Sequence, residues 1–235
     1  MTDGVLSPGT WFAAFREQFR EDSCVLAAYR RACLLAREGS GESKEWTSVM
    51  AVFLANLAAA GTPPLVQDWE WGYQKIDHVW REPSKPDHPV VLIEHEQQRY
   101  EDKGTERITY PVQKLLNQSD EALKVLITYE WFRPRAKSYC VGWLRNAVKK
   151  ELAHGRKDSP RREEDSPGGF VLVVGSYCDW LRNQPDPYPW IAYYWTGNDL
   201  DHLGRTSGWN ASRSKGEVEK HRGKDSCTES SCEGV

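Results

Sequence analysis

In the segment Val90-Val91-Leu92-Ile93-Glu94-His95-Glu96, four aliphatic residues run directly into two carboxylates. A short aliphatic run that follows turn-forming residues is typical of a buried β-strand. Side chains alternate between the two faces of a strand, so Glu94 and Glu96 are predicted to emerge on the same side of a sheet. The segment therefore predicts two paired carboxylates at the end of a buried strand.

A second strand-like segment lies upstream, at residues 73–81 (YQKIDHVWR), and carries Asp77 in its middle. Residues 82–89 (EPSKPDHP) connect the two segments and are rich in turn formers, which predicts a β-hairpin. Asp77 would then share a face with the two glutamates, and three carboxylates would meet at one end of the sheet. Grouped carboxylates need a cation to neutralise them, and hard oxygen ligands favour Mg²⁺ or Mn²⁺.

Helical and strand-like patterns alternate around this hairpin. Helices are predicted at residues 8–37 (two helices), 44–60, 108–117 and 136–154, and further strands at 66–71, 123–129, 170–174 and 190–195. This order predicts an α/β protein with a mixed β-sheet flanked by helices. From about residue 204 the chain is polar and charged, which predicts disorder. The predicted organisation is an N-terminal helical extension (1–42), a central domain (43–203) and a tail (204–235).

The order of these elements, together with the acids, resembles the PD-(D/E)XK nuclease superfamily. The resemblance covers about residues 44–129: a helix, a three-strand meander with an acid on its second strand and Glu-x-Glu ending its third, then a helix and a strand. The superfamily motif is Asp, a variable gap and (Asp/Glu)-x-Lys; here Asp77 and Glu94-His95-Glu96 take those places. The resemblance implies a restriction-endonuclease-like fold and a metal-dependent endonuclease acting on nucleic acid, with DNA as the expected substrate.

The chain departs from the motif at Glu96, where the superfamily usually has lysine. Some restriction endonucleases of the superfamily carry Glu-x-Glu, so the departure does not by itself imply an inactive protein. It does remove the expected cationic helper for the attacking water. Lysine is known to migrate within the family, and Lys114, on the helix after the third strand, looks like the replacement. Lys75, two residues before Asp77, is the alternative.

The resemblance also implies an acid on the helix that precedes the meander. Glu45 is the position to compare, with Glu42 and Glu70 as alternatives. Hydrolysis of a phosphodiester needs such grouped charges, because the anionic substrate repels hydroxide until its charge is neutralised and a water is activated. The implied catalytic residues are Asp77, Glu94, Glu96 and Lys114, and the implied ligands of Mg²⁺ or Mn²⁺ are Asp77, Glu94, Glu96 and Glu45.

The formal net charge of −3 argues against a protein that coats nucleic acid indiscriminately, but the charge is unevenly placed. Residues 133–162 contain ten basic residues against two acidic ones. Such a local patch attracts phosphate backbones whatever the overall charge. The predicted nucleic-acid contacts are Arg145, Lys149, Lys150 and Arg156. The alternative is a solvated helix face followed by a basic loop.

Composition narrows the expected cellular location and leaves two other functions open. No twenty-residue apolar run exists, the N-terminal residues lack a secretory pattern, and six cysteines form no paired framework. A cytoplasmic protein without membrane contact is therefore expected. One rival is a catalytically inactive member of the same fold that binds nucleic acid or protein, and another is a structural or regulatory α/β protein with surface carboxylates. A homodimer is left open.

Overall fold

The computed structural model describes residues 6–19, 42–68, 76–96, 106–118, 121–131, 141–158, 169–177 and 190–206. Its helices are α1 (Pro8–Gln18), α2 (Glu42–Ala59), α3 (Glu106–Leu116) and α4 (Val141–Asp158). Its strands are β1 (Val66–Asp68), β2 (His78–Arg81), β3 (Pro89–His95), β4 (Leu123–Trp131), β5 (Phe170–Tyr177), β6 (Ile191–Trp195) and β7 (Leu200–Arg205). Across these ranges, no helix is both long and apolar enough to cross a membrane. The second helix predicted within residues 8–37 lies outside the described residues, as does the predicted tail beyond residue 206.

Within the described residues, seven strands form one sheet whose spatial order follows the chain order from β1 to β7. β3, β4 and β5 run parallel, and the other neighbouring pairs are antiparallel. Parallel neighbours need a crossover connection, and α3 and α4 lie in the two crossovers that link β3 to β4 and β4 to β5. This confirms the predicted α/β class with a mixed sheet flanked by helices.

Alternation along the strands gives the sheet two apolar faces. On β3, Val91 and Ile93 pack in one core with α1 and α2. Leu92, between them, packs in a second core with α3 and α4. Glu94 has the same parity as Leu92 and contacts a side chain of α3. The acid at the end of β3 therefore lies on the α3 face of the sheet.

α1 belongs to the same core as the sheet. It begins after Ser7, whose side chain accepts a hydrogen bond from the backbone N–H of Thr10 at 3.2 Å and so caps the helix. The ring of Phe15 lies 5.2 Å from that of Phe53 on α2 and 5.6 Å from that of Trp190, which precedes β6. The helix predicted as part of an N-terminal extension thus packs directly on the central residues.

β7 was not predicted, and it runs two residues past the predicted domain end at residue 203. Its sequence, LDHLGR, mixes charged residues with glycine and lacks the β-branched residues that mark a strand. The strand is the outermost one on its side of the described sheet. The hydroxyl of Thr206 accepts a 2.8 Å hydrogen bond from the backbone N–H of Trp190, which fastens the end of β7 to the start of β6.

β2 is shorter than the strand predicted at residues 73–81. It begins at His78, so the prediction that Asp77 lies within the strand is wrong by one residue. β3 likewise ends at His95, and Glu96 follows it. The reason is local: the backbone N–H of Asp77 donates to the side chain of Glu94 instead of continuing the backbone ladder. Residues 69–75 lie outside the described residues.

Candidate active site

One edge of the sheet gathers the acids that the sequence motif paired. The parallel strands β3, β4 and β5 end at this edge, and β2, which is antiparallel to β3, begins there. Glu94 is the penultimate residue of β3, and Asp77 directly precedes β2. The topology therefore brings together two residues that are 17 positions apart in the chain.

Asp77 and Glu94 are joined by two hydrogen bonds that run in opposite directions. The backbone N–H of Asp77 donates to Oε1 of Glu94 at 3.2 Å. The backbone N–H of His95, the next residue after Glu94, donates to Oδ2 of Asp77 at 2.9 Å. Each carboxylate is thus held by the backbone of the other segment, which fixes the separation of the two acids.

Lys114 contacts the same carboxylate from α3. Its Nζ atom lies 2.6 Å from Oε1 of Glu94, and the two side chains are 11% and 1% exposed. α3 follows β3 and packs on the face to which Glu94 points, so a lysine in its last turn reaches the acid. The alternative lysine, Lys75, lies outside the described residues. Of the two lysines, Lys114 is the one that the described residues bring to the acids.

The surroundings of Glu94 disfavour its ionised form. Burial, and then the charge of Asp77, raise the pKa of Glu94 to about 8, although the hydrogen bond and charge of Lys114 oppose the shift. One lysine therefore does not offset the burial of Glu94 together with the charge of the neighbouring Asp77. A bound cation would favour the ionised carboxylate, and such strongly shifted groups concentrate at functional sites.

The donor chemistry fits a small hard cation in part. Among the described residues, hydrogen bonds engage Oδ2 of Asp77 and Oε1 of Glu94, so the second oxygen of each carboxylate is left as a hard donor. Mg²⁺ is commonly held by one or two carboxylates, with water and substrate oxygens completing its shell. In the part of the chain that is described, no three His, Cys, Asp or Glu side chains come together to hold an ion. The site fits a two-carboxylate arrangement for Mg²⁺ or Mn²⁺.

The structure says less about the two other predicted metal ligands, Glu96 and Glu45. Glu96 follows β3 and is half-buried, and its backbone N–H donates to the carbonyl oxygen of Ile127 at 2.9 Å. Glu45 lies on α2, whose apolar residues pack on the face opposite to Glu94, and its side chain is outside the described residues. The alternative Glu42 begins the same helix, and Glu70 is not described. The ligand roles of Glu96 and Glu45 stay predictions.

A histidine follows each acid and points to the other face of the sheet. The ring Nε2 of His95 shares a 2.6 Å hydrogen bond with the hydroxyl of Tyr129 on β4. Burial lowers the pKa of His95 to about 3 and that of His78 to about 4, so both rings are uncharged at neutral pH. Neither adds positive charge near the acids. Tyr129 was not predicted as part of the site, and its only signal was the two-residue spacing that puts it on one face of β4 with Val125 and Ile127.

Two of the residues predicted to contact nucleic acid pair with an acidic side chain of the protein itself. Arg145 and Lys149 on α4 lie 3.3 Å and 3.2 Å from the same oxygen of Asp199, in the turn before β7. A hydrogen bond from the next backbone N–H, with these two cations, lowers the pKa of Asp199. Lys150 is exposed, and the side chain of Arg156 is outside the described residues. The contact with Asp199 had no local signal in the sequence.

No family model, curated protein or solved structure matches this chain. The functional interpretation therefore rests on the side-chain geometry and the order of elements described above.

Proposed function

We propose that the protein is a metal-dependent nuclease of the PD-(D/E)XK type that hydrolyses phosphodiester bonds in nucleic acid, with DNA as the expected substrate. The observation that carries the proposal is the 2.6 Å contact between Lys114 and Glu94, made beside Asp77. The contact supports the proposal because Lys114, on a neighbouring helix, would take the part of the lysine that the motif lacks at Glu96. It assembles two acids and one cation at the end of a strand.

The side chains of the site suit different parts of the hydrolysis. A divalent cation bound there would neutralise the phosphate and lower the pKa of a bound water. Asp77 and Glu94 would hold that ion through the oxygens that their hydrogen bonds leave. Lys114 would orient the attacking water and stabilise the negative charge that develops on the phosphoryl oxygens. Glu96 would accept the proton of the water or bind a second ion.

The order of elements supports a restriction-endonuclease-like fold. α2, the meander of β1, β2 and β3, then α3 and β4 follow one another as the resemblance implies. The meander pairs antiparallel, and β3 and β4 pair parallel across the α3 connection. The acids lie where β3 ends, and the carboxyl ends of strands are the usual position of ligand sites in α/β sheets.

Incubation with plasmid DNA, single-stranded DNA and RNA in Mg²⁺ or Mn²⁺ tests the proposal. We expect cleavage that stops in EDTA and is lost in Asp77→Asn and Glu94→Gln, because each change removes a ligand charge and keeps the shape. Glu82→Gln is the matched control, since this carboxylate follows the other end of β2. Metal-dependent cleavage that survives Glu94→Gln would contradict the proposal.

A second candidate is an inactive member of the same fold that binds nucleic acid or protein. The observation that favours it is that the described residues bring no third metal-binding side chain to Asp77 and Glu94. Melting temperatures with added Mn²⁺ separate the two candidates. An ion present at a hundred times its Kd stabilises the folded state by about 2.7 kcal/mol, and a module without an ion site gains nothing.

The proposed setting is the cytoplasm, with nucleic acid as the partner. Six cysteines without a paired framework support a reducing compartment. The basic residues of α4 support contact with phosphates. A homodimer is a further proposal, which light scattering on the purified full chain tests directly.

A further inference from the structure

Tyr110 is an aromatic residue on α3 that the reaction proposed above does not use. It is 60% exposed. The other large hydrophobic side chains that are exposed in the described part of the chain are Val52 and Val66, and neither is aromatic. Single exposed hydrophobic side chains are common on protein surfaces, so the position of this ring relative to the site decides whether it can serve a ligand.

Helical spacing puts Tyr110 on the flank of α3 that faces the acids. Residues four apart lie on the same side of a helix, with Cβ atoms about 5–6 Å apart, so Tyr110 neighbours Lys114. Lys114 lies on this flank, because its Nζ atom is 2.6 Å from Oε1 of the buried Glu94. The other flank faces α4, because the side chains of Thr109 and Gln113 both donate to Glu151.

The direction of α3 puts Tyr110 nearer than Lys114 to the edge of the sheet where the acids lie. β3 ends at the site edge and the parallel strand β4 starts at the opposite edge, so the connecting helix runs back from the site edge. Tyr110 comes one turn before Lys114 and is therefore about 6 Å nearer to that edge. Tyr110, whose side chain is exposed, therefore lies on the side of Lys114 that is nearer the edge where Asp77 precedes β2.

We propose that Tyr110 is the stacking platform for an unpaired nucleobase next to the phosphate that would be cleaved at Asp77 and Glu94. The inference rests on the proposed nuclease function and narrows its substrate to single-stranded nucleic acid. A base inside a duplex is stacked between its neighbours, whereas an unpaired base offers its π face to an aromatic side chain. Stacking accepts every base, so the platform selects strand state and not sequence.

Binding of labelled strands in EDTA tests the inference without cleavage. Fluorescence anisotropy gives the Kd for oligo-dT and for an abasic strand of the same length and charge. Tyr110→Ala is expected to weaken oligo-dT binding by about fivefold to about a hundredfold, the range for loss of one stacked base. Tyr110→Phe keeps the ring and is expected to stay within about twofold of the wild type. Abasic-strand binding should be the same in all three proteins.

Val52→Ala is the matched control, because it truncates a comparably exposed side chain on α2, which packs on the other face. It should change neither affinity, and unchanged melting temperatures show that each variant is folded. Equal weakening for both strands, no weakening in Tyr110→Ala, or no strand binding by the wild type would overturn the inference. Strands that bind through Tyr110 but stay uncut in Mn²⁺ would remove the nuclease proposal and leave the platform standing.

Discussion

Lys114 and Glu94 are 2.6 Å apart at the end of β3, yet the pKa of Glu94 is still raised to about 8. The lysine offsets the shift only in part, because Glu94 is buried and the charge of Asp77 lies beside it. Without a divalent cation the site is therefore under electrostatic strain that depends on pH. This relationship yields the first prediction.

The metal-free protein is expected to be most stable near pH 6.5. Between about pH 4.5 and 6.5 the unfolded chain binds protons on His78 and His95 that the folded protein refuses, while the folded protein binds one extra proton on Glu94, so stability rises with pH. Between pH 6.5 and about 8 the extra proton on Glu94 of the folded protein outweighs the protons that the unfolded histidines still bind, so stability falls as the pH rises. Urea unfolding in EDTA across this range measures the profile.

Glu94→Gln is the control for this profile. It should flatten the fall above pH 6.5 and keep the rise below it, because the two histidines are unchanged. Saturating Mn²⁺ should also reduce the fall in stability above pH 6.5, since a bound cation favours the ionised carboxylate. A fall above pH 6.5 that persists in Glu94→Gln would assign it to another group.

Lys114→Ala is expected to slow cleavage more than it weakens metal binding. Loss of one donor that stabilises transition-state charge typically lowers kcat by about 10²–10³, whereas the metal ligands remain. Lys114→Arg keeps the charge and should recover part of the rate. Lys85→Ala, at an exposed lysine paired with Glu82, is the matched control. Cleavage rates measured at saturating Mn²⁺ test this prediction. An unchanged kcat in Lys114→Ala would exclude Lys114 as the replacement lysine.

Tyr129→Phe is expected to destabilise the protein by about 1–3 kcal/mol, because it leaves the buried ring of His95 without its hydroxyl partner. Tyr194→Phe removes a hydroxyl from a half-buried tyrosine of β6 and is the control. Urea unfolding at neutral pH compares the two variants. Equal losses would show that the bond between His95 and Tyr129 contributes no stability of its own.

Two glycine substitutions are expected to have opposite signs. A Cβ atom on Gly175 would lie 2.6 Å from the buried ring of Trp190, so Gly175→Ala should cost about 1–3 kcal/mol by overpacking. On α1, a Cβ atom on Gly9 meets nothing closer than 4.0 Å, so Gly9→Ala should stabilise the helix by up to about 1 kcal/mol. Thermal unfolding measures both, and a neutral Gly175→Ala would mean that Trp190 can move aside.

Asp199→Asn is expected to strengthen nucleic-acid binding, because it releases Arg145 and Lys149 for phosphates. Charge reversal of Lys149 should weaken binding equally for all sequences and reduce the slope of log K against log salt by about 1. Lys150→Glu should act in the same direction. Titrations at several salt concentrations measure the slope, and a slope unchanged by Lys149→Glu would move the contact to another face.

The sequence predicted the sheet and the pairing of the acids because both depend on local patterns. Aliphatic runs marked β3, β4 and β5, and the turn-rich residues 82–89 predicted the hairpin that brings Asp77 to Glu94. It did not predict that Asp77 precedes its strand, because a side chain there replaces a backbone acceptor. It also missed the contact of Arg145 with Asp199, which are 54 positions apart. Contacts of that separation are decided by packing, which no local pattern reports.

α1 meets two of its packing partners late in the synthesis of the chain. Phe15 packs on Trp190, and a Cβ atom on Gly204 would lie 3.0 Å from the ring of Phe12, so the helix is covered by β6 and β7. On the ribosome, α1 emerges first, and these strands follow roughly ten to forty seconds later at about 5–20 residues per second. During that interval α1 can pack on Phe53 of α2, but the part of its aromatic side that faces Trp190 and Gly204 stays uncovered. This layer is complete only when β7 has left the exit tunnel.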